Sequence, residues 1–257
     1  MEMLRPNGTS SPRFPIWEGV FAHYRDVPAT GKCFENDTFL ADALTYTTAV
    51  MRSVNHPNPT VRPSLPEHEA LLFLAAAVAP EGRPLRLIDF GGCLGTAYLY
   101  LRSYLNSSVG VEYLIVETPK MVAAGRDLFA NDHNVRFFET LTDVATEVVD
   151  IVYVNSALQY IEDYAEVFCA LCRIGAQHFL LARLSAGDFS SYASAQRNVQ
   201  GNVLAYWFIN ANELIRLAHT EGYSLKARVA IGPEHDQSNF PPDRRMGRTC
   251  NLLFRKR

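Results

Sequence analysis

The sequence predicts an α/β domain, a mostly parallel β-sheet with helices on both faces. Three observations carry this expectation. Short apolar runs recur along residues 85–183, each of a length suited to a buried strand. Stretches of helical periodicity separate them, so strand and helix alternate as a parallel sheet requires. The first run, Leu85–Phe90, ends on Gly91-Gly92, a tight turn leading into a helix.

Residues 1–63 form a mixed segment, expected to be an N-terminal helical cap with a connector. A Pro-containing start precedes a helical stretch at 37–54, and Pro57, Pro59 and Pro63 then break any helix. The main domain is expected to span 64–257. Ser64 and Glu67 have the spacing of a capping box opening a helix that ends near Pro80. The strand candidates are 85–90, 112–117, 135–138, 149–155 and 177–183. Thr118 and Pro119 read as the cap and first position of a further helix. Residues 184–209 are rich in Ser, Gly and Asn at their start and show no clear period. They read as an insertion on the ligand-facing side. Asn210 and Glu213 open another helix, closed by Gly222. Residues 223–231 and 250–256 are the last two strands, with a polar loop between them.

Hydrophobic residues make up 48% of the chain and charged residues 20%, values of an ordinary globular protein. A net charge of −3 gives no basic face for a nucleic acid partner. Five cysteines, an odd number without a regular framework, suit a reducing cytoplasm. Cys169 and Cys172 sit in an amphipathic helical stretch and read as its buried face, so no metal is expected. The longest apolar run, 71–79, is far short of the roughly 20 residues that cross a bilayer. The N-terminus lacks a signal-peptide pattern, and a cytoplasmic location is expected.

The chemistry concentrates at Asp89-Phe90-Gly91-Gly92-Cys93-Leu94-Gly95. Glycines after a buried strand let a ligand approach the backbone, and the next helix presents free N–H groups. Glu117 closes the second strand roughly 20 residues on, where a carboxylate can accept both ribose hydroxyls. A nicotinamide or flavin dinucleotide needs GxGxxG, whose second glycine clears the pyrophosphate. Here Cys93 falls in that place and the spacing is GGxxG. S-adenosylmethionine has no pyrophosphate, and Asp89 is placed to help hold its ammonium group. A glycine loop that binds nothing satisfies the same local pattern.

The order IDFGGCLG, YLIVETPKMVAAG, VRFFETL and VDIVYVNSALQYIED resembles class I S-adenosylmethionine-dependent methyltransferases. More narrowly, it resembles a group of bacterial methyltransferases linked to surface polysaccharide or other specialised biosynthesis, including the WEGVF segment and the Gln196 region. The resemblance implies a Rossmann-like fold, a mostly parallel seven-stranded sheet with an antiparallel C-terminal strand, and S-adenosylmethionine as cofactor. It places Asp89, Gly91, Gly92, Cys93 and Gly95 at the methionine part, and Glu117 at the ribose. Thr118 falls beside the adenine, as do Glu139 and Thr140, although the usual Asp is missing there. Asn155, Ser156 and Leu158 face the transferable methyl group, and Gln159 and Tyr160 match the group's Leu-Gln-Tyr sequence.

Methyl transfer demands mainly in-line alignment, with a base only where the acceptor must lose a proton. Tyr160, Arg183 and Gln196 are the candidate catalytic residues, with Tyr206 beside them. His23, His133 and His235 are weaker candidates, and Tyr24, Tyr192 and Trp207 are candidate pocket walls or core aromatics. No NPPY, GxSxG or HExxH sequence occurs, which disfavours nucleic-acid amino-methylation and hydrolysis. The expected partners are a small-molecule acceptor and, at most, a second copy in a homodimer. A repurposed adenosylmethionine-binding module and a dinucleotide oxidoreductase remain as alternatives.

Overall fold

The computed structural model describes residues 16–30, 33–56, 58, 62–144, 148–199 and 202–257. The first fifteen residues, Pro57 and Pro59 lie outside the described residues. The main sheet contains β2 (Leu85–Phe90), β3 (Val111–Val116), β4 (Val135–Phe138), β5 (Ile151–Asn155), β6 (His178–Leu184), β10 (Tyr223–Ile231) and β11 (Thr249–Lys256). Their order is β10-β11-β6-β5-β2-β3-β4. The five strands β2 to β6 run parallel, whereas β11 is antiparallel to both β6 and β10. The chain steps from β2 outward to β4, then returns to place β5 on the other side of β2. That reversal opens a crevice beyond the carboxyl ends of β2 and β5.

Helices cover both faces, which is why the central strands are apolar almost without interruption. One face packs under α1 (Asp37–Val54), α2 (Glu69–Val78) and α3 (Thr96–Tyr104), where Leu71, Tyr98 and Leu101 meet Leu87, Tyr113, Ile115 and Tyr153. The other packs under α5 (Tyr164–Arg173) and α6 (Ala211–Thr220), where Phe168, Leu171 and Leu214 meet Ile88, Leu114 and Val152. The remaining helix, α4 (Pro119–Leu128), places Val122 against the first face. Asn210 caps α6 as its sequence predicts, its Oδ1 accepting from the N–H groups of Asn212 and Glu213.

Two local expectations change. Ser64 does not cap α2: the chain enters through a 3-10 turn, Pro66–His68, and α2 begins at Glu69. Residues 184–209 are not an irregular insertion. They contain β7 (Ala186–Gly187), β8 (Tyr192–Val199) and β9 (Asn202–Asn210). The N-terminal strand β1 (Trp17–Phe21) adds antiparallel to β8, giving a second sheet ordered β1-β8-β9-β7. The segment before α1 therefore contributes a strand as well as helical turns. Trp17, Tyr192, Tyr206 and Phe208 fill one side of this small sheet, and Ala193, Ala195 and Ala205 the other.

Candidate active site

The crevice is built from backbone first. Gly91 has φ +72°, and a Cβ there would stand 2.5 Å from that of Ala157, so the first loop touches the turn after β5. A Cβ on Gly92 would fall 2.5 Å from Asp89 Oδ2. Both positions are closed to larger side chains by the chain itself. Among the described residues, three non-glycine residues hold positive φ: Cys93 (51°), Ser156 (54°) and Arg183 (50°). Each follows or ends one of the three central strands β2, β5 and β6. Such conformations cost about 1–2 kcal/mol each and concentrate where backbone must meet a ligand.

Cys93 thus adopts a left-handed conformation that a glycine adopts without strain. Burial pushes its thiol up to about 12, with the Glu117 charge second, so it is not a nucleophile. Its N–H donates to Glu117 Oε1 at 3.1 Å, and the Thr118 N–H donates to Oε2 at 2.7 Å. Glu117 is thereby held at the end of β3, facing the glycine loop. A carboxylate offers about four lone-pair sites, so two remain for a ligand. Burial raises its pKa, opposed by these backbone bonds.

Asp89 lies beneath the loop. It is 2% exposed, its Oδ2 accepts from the Tyr113 hydroxyl at 2.8 Å, and its Oδ1 has no protein partner. Burial pushes this carboxyl up to about 7. Asn155 Oδ1 and Thr118 Oγ1 are also buried without partners. Glu139 and Thr140 are exposed just past β4, and Thr140 closes a capping box with Asp143. Leu158 is fully buried in the cluster under α5 and α6.

The second half of the site joins β5, β6 and the small sheet. Tyr160 donates to Gln196 Oε1 at 3.0 Å, bringing two of the three catalytic candidates into contact. Gln159 is fully buried. Its Nε2 donates to Ser156 Oγ at 2.9 Å and reaches the Arg183 carbonyl and Tyr206 Oη at 3.4 Å, while its Oε1 has no partner. Tyr206 bonds Ser185, and burial pushes its hydroxyl up to about 12. Arg183 is fixed through its N–H, which donates to Asn251 Oδ1 at 2.9 Å. Tyr24 donates to the Tyr160 carbonyl at 2.7 Å, and Trp207 to the Glu162 carbonyl at 3.1 Å, so both tie the small sheet to the main one. Tyr192 stacks on Phe208 in its core. His23 and His133 are exposed, and His235 packs edge-on against Trp17.

One buried histidine escaped the sequence reading. His68, in the turn before α2, lies 3.0 Å from Tyr153 Oη and 3.4 Å from both Thr96 Oγ1 and Asn155 Nδ2. Its signal was spacing: His68, Leu71 and Ala75 fall at i, i+3 and i+7 on one buried helix face.

The strand order separates two families of α/β crevice. A dinucleotide fold carries six parallel strands ordered 3-2-1-4-5-6. This chain inserts the antiparallel β11 between β6 and β10. The fold is that of S-adenosylmethionine-dependent methyltransferases. It is similar to magnesium protoporphyrin IX methyltransferase from Synechocystis PCC 6803, solved with bound S-adenosylhomocysteine, at a TM-score of 0.52 and 12% identity. That match covers 87% of this chain and 97% of the other. An S-adenosylmethionine-dependent methyltransferase from Clostridium acetobutylicum ATCC 824 matches at a TM-score of 0.50 and 9% identity, covering 83% and 99%. No protein-family model and no curated protein matches the sequence. In this methyltransferase fold the glycine loop, Glu117 and Asn155 all stand on the carboxyl edge of the sheet.

Proposed function

We propose that the chain binds S-adenosylmethionine across the carboxyl edge of β2, β3 and β5 and transfers its methyl group to a small-molecule acceptor. The observation that carries this reading is Glu117, held by two backbone N–H groups with lone pairs left for the two ribose hydroxyls. The unpartnered Asn155 Oδ1, Thr118 Oγ1 and Asp89 Oδ1 fit a ligand rich in N–H and O–H donors. When bound, the sulfonium supplies an electrophilic methyl carbon. The protein's work is then to hold the two reactants in line and keep water out.

Gly91 and Cys93 bring backbone against the ligand, and Glu139 and Thr140 flank its adenine side. Tyr160, Arg183 and Gln196 orient the acceptor, which the small sheet β1-β8-β9-β7 covers as a cap. The resemblance to enzymes of polysaccharide and specialised biosynthesis favours a sugar or specialised metabolite as acceptor, in a cytoplasmic enzyme. A second reading, binding without transfer, draws on the acceptor side itself. Burial pushes Tyr206 up to about 12, so it takes no proton near neutral pH. Transfer of labelled methyl to a product separates the two readings.

Calorimetric titration of S-adenosylhomocysteine tests the site. Glu117→Ala removes two charge-assisted hydrogen bonds, each worth about 1.5–3 kcal/mol, so affinity should fall by at least roughly 100-fold. Unchanged affinity would remove the ribose assignment.

A further inference from the structure

His68 belongs to no expected site, yet its ring joins the two polar groups that flank the crevice. We propose that His68 is a positioning residue that aims Thr96 and Asn155 at the amino-acid end of the ligand, so that the site reads a carboxylate and ammonium pair as well as adenosine. This inference rests on the adenosylmethionine reading above.

The Asn155 amide sets the tautomer. Its Nδ2 can only donate, and it faces His68 Nδ1 at 3.4 Å, which makes Nδ1 the bare nitrogen. The Tyr153 hydroxyl stands 3.0 Å from the same nitrogen and also reaches the Glu67 carbonyl at 3.4 Å. Nε2–H then donates to Thr96 Oγ1. Burial, with the Arg183 charge second, keeps the ring neutral over the working pH range. Thr96 then retains its own hydroxyl hydrogen as a donor. It is the first residue of α3, whose N-cap, Gly95, offers no side-chain cap. A hydroxyl donor beside free helix N–H groups suits a carboxylate. On the other side, with Asn155 Nδ2 committed to the ring, Oδ1 is left as an oriented acceptor without a protein partner. An ammonium group satisfies it. Asp89 Oδ1, equally without a partner, lies on the neighbouring strand, where Asp89 pairs with Tyr153.

The test compares S-adenosylhomocysteine with 5′-methylthioadenosine, which keeps the adenosine and sulfur but lacks the amino-acid end. Calorimetry on the full chain should give at least tenfold tighter binding of S-adenosylhomocysteine. His68→Leu should erase that preference and leave 5′-methylthioadenosine affinity unchanged. His68→Asn, which returns an acceptor near Nδ1, should restore part of it. Thr96→Val, at a partly exposed position, should reduce the preference in the same direction and decides the matter if His68→Leu does not fold. Equal weakening of both ligands by these variants, or no preference in the parent protein, overturns the proposal. Failure of both ligands to bind the parent protein would instead refute the adenosylmethionine reading, a distinguishable result.

Discussion

Asparagine in place of Asp89 should make the protein's stability less sensitive to pH, by an amount the structure fixes. The Asp89 carboxyl is buried under Gly92 with one hydrogen bond, from Tyr113, and burial raises it from 3.8 in the free chain to about 7. A folded-state value above the unfolded one means that the native state binds the proton more tightly. Its stability contribution is full below about pH 4 and is lost as pH rises to about 7. At about 1.4 kcal/mol per tenfold, the whole loss is roughly 4 kcal/mol, of which roughly 3 kcal/mol falls between pH 5 and 8.5. Asparagine keeps the shape and an acceptor for Tyr113 but cannot ionise. Urea unfolding of both proteins at pH 5 and pH 8.5 measures the difference. The variant should gain roughly 3 kcal/mol relative to the parent across that interval. Glu117 is present in both proteins, so its own titration largely cancels. A stability difference that does not change with pH would refute the argument that burial holds this carboxyl above its ordinary range.

Gly91→Ala should destabilise the fold by about 1–3 kcal/mol, because the new methyl meets Ala157 at 2.5 Å and φ is +72°; thermal unfolding measures it, and Ala157→Gly should recover the steric part only. Cys93→Gly should stabilise the chain by no more than about 1 kcal/mol, since relief of the left-handed conformation is offset by unfolded-chain entropy, and it should leave S-adenosylhomocysteine affinity intact. Tyr160→Phe should raise the acceptor KM without weakening S-adenosylhomocysteine binding, because its hydroxyl meets Gln196 on the small sheet; once an acceptor is known, steady-state kinetics decide.

What the sequence disclosed follows from what surrounds each segment. Strands β2, β3 and β5 are covered on both faces, so LRLIDF and IVYVN announce themselves as apolar runs between turns. Gly91, Gly92 and Glu117 were legible because backbone turns and strand ends impose their residue types. The β8–β9 hairpin was not, because Tyr192, Ser194 and Gln196 on one side and Ala193 and Ala195 on the other are all buried. Ser194 and Gln196 alternate with Ala193 and Ala195 as a solvent-facing side would, yet both sides are buried, and the strand that completes the sheet, β1, lies far away in sequence. His68 was hidden for a related reason. Its partners come from two other segments, Thr96 from α3 and Tyr153 and Asn155 from β5, and the parallel packing of β2 and β5 brings them together.

The central claim is that adenosylmethionine binds between the glycine loop, Glu117 and Asn155. A crystal structure of the chain with S-adenosylhomocysteine measures this directly. Both ribose hydroxyls should lie within hydrogen-bond distance of the Glu117 carboxylate, and the sulfur between the Cys93 loop and Ser156. Density for the ligand elsewhere, or a ribose that leaves Glu117 bonded only to the Cys93 and Thr118 N–H groups, would contradict it.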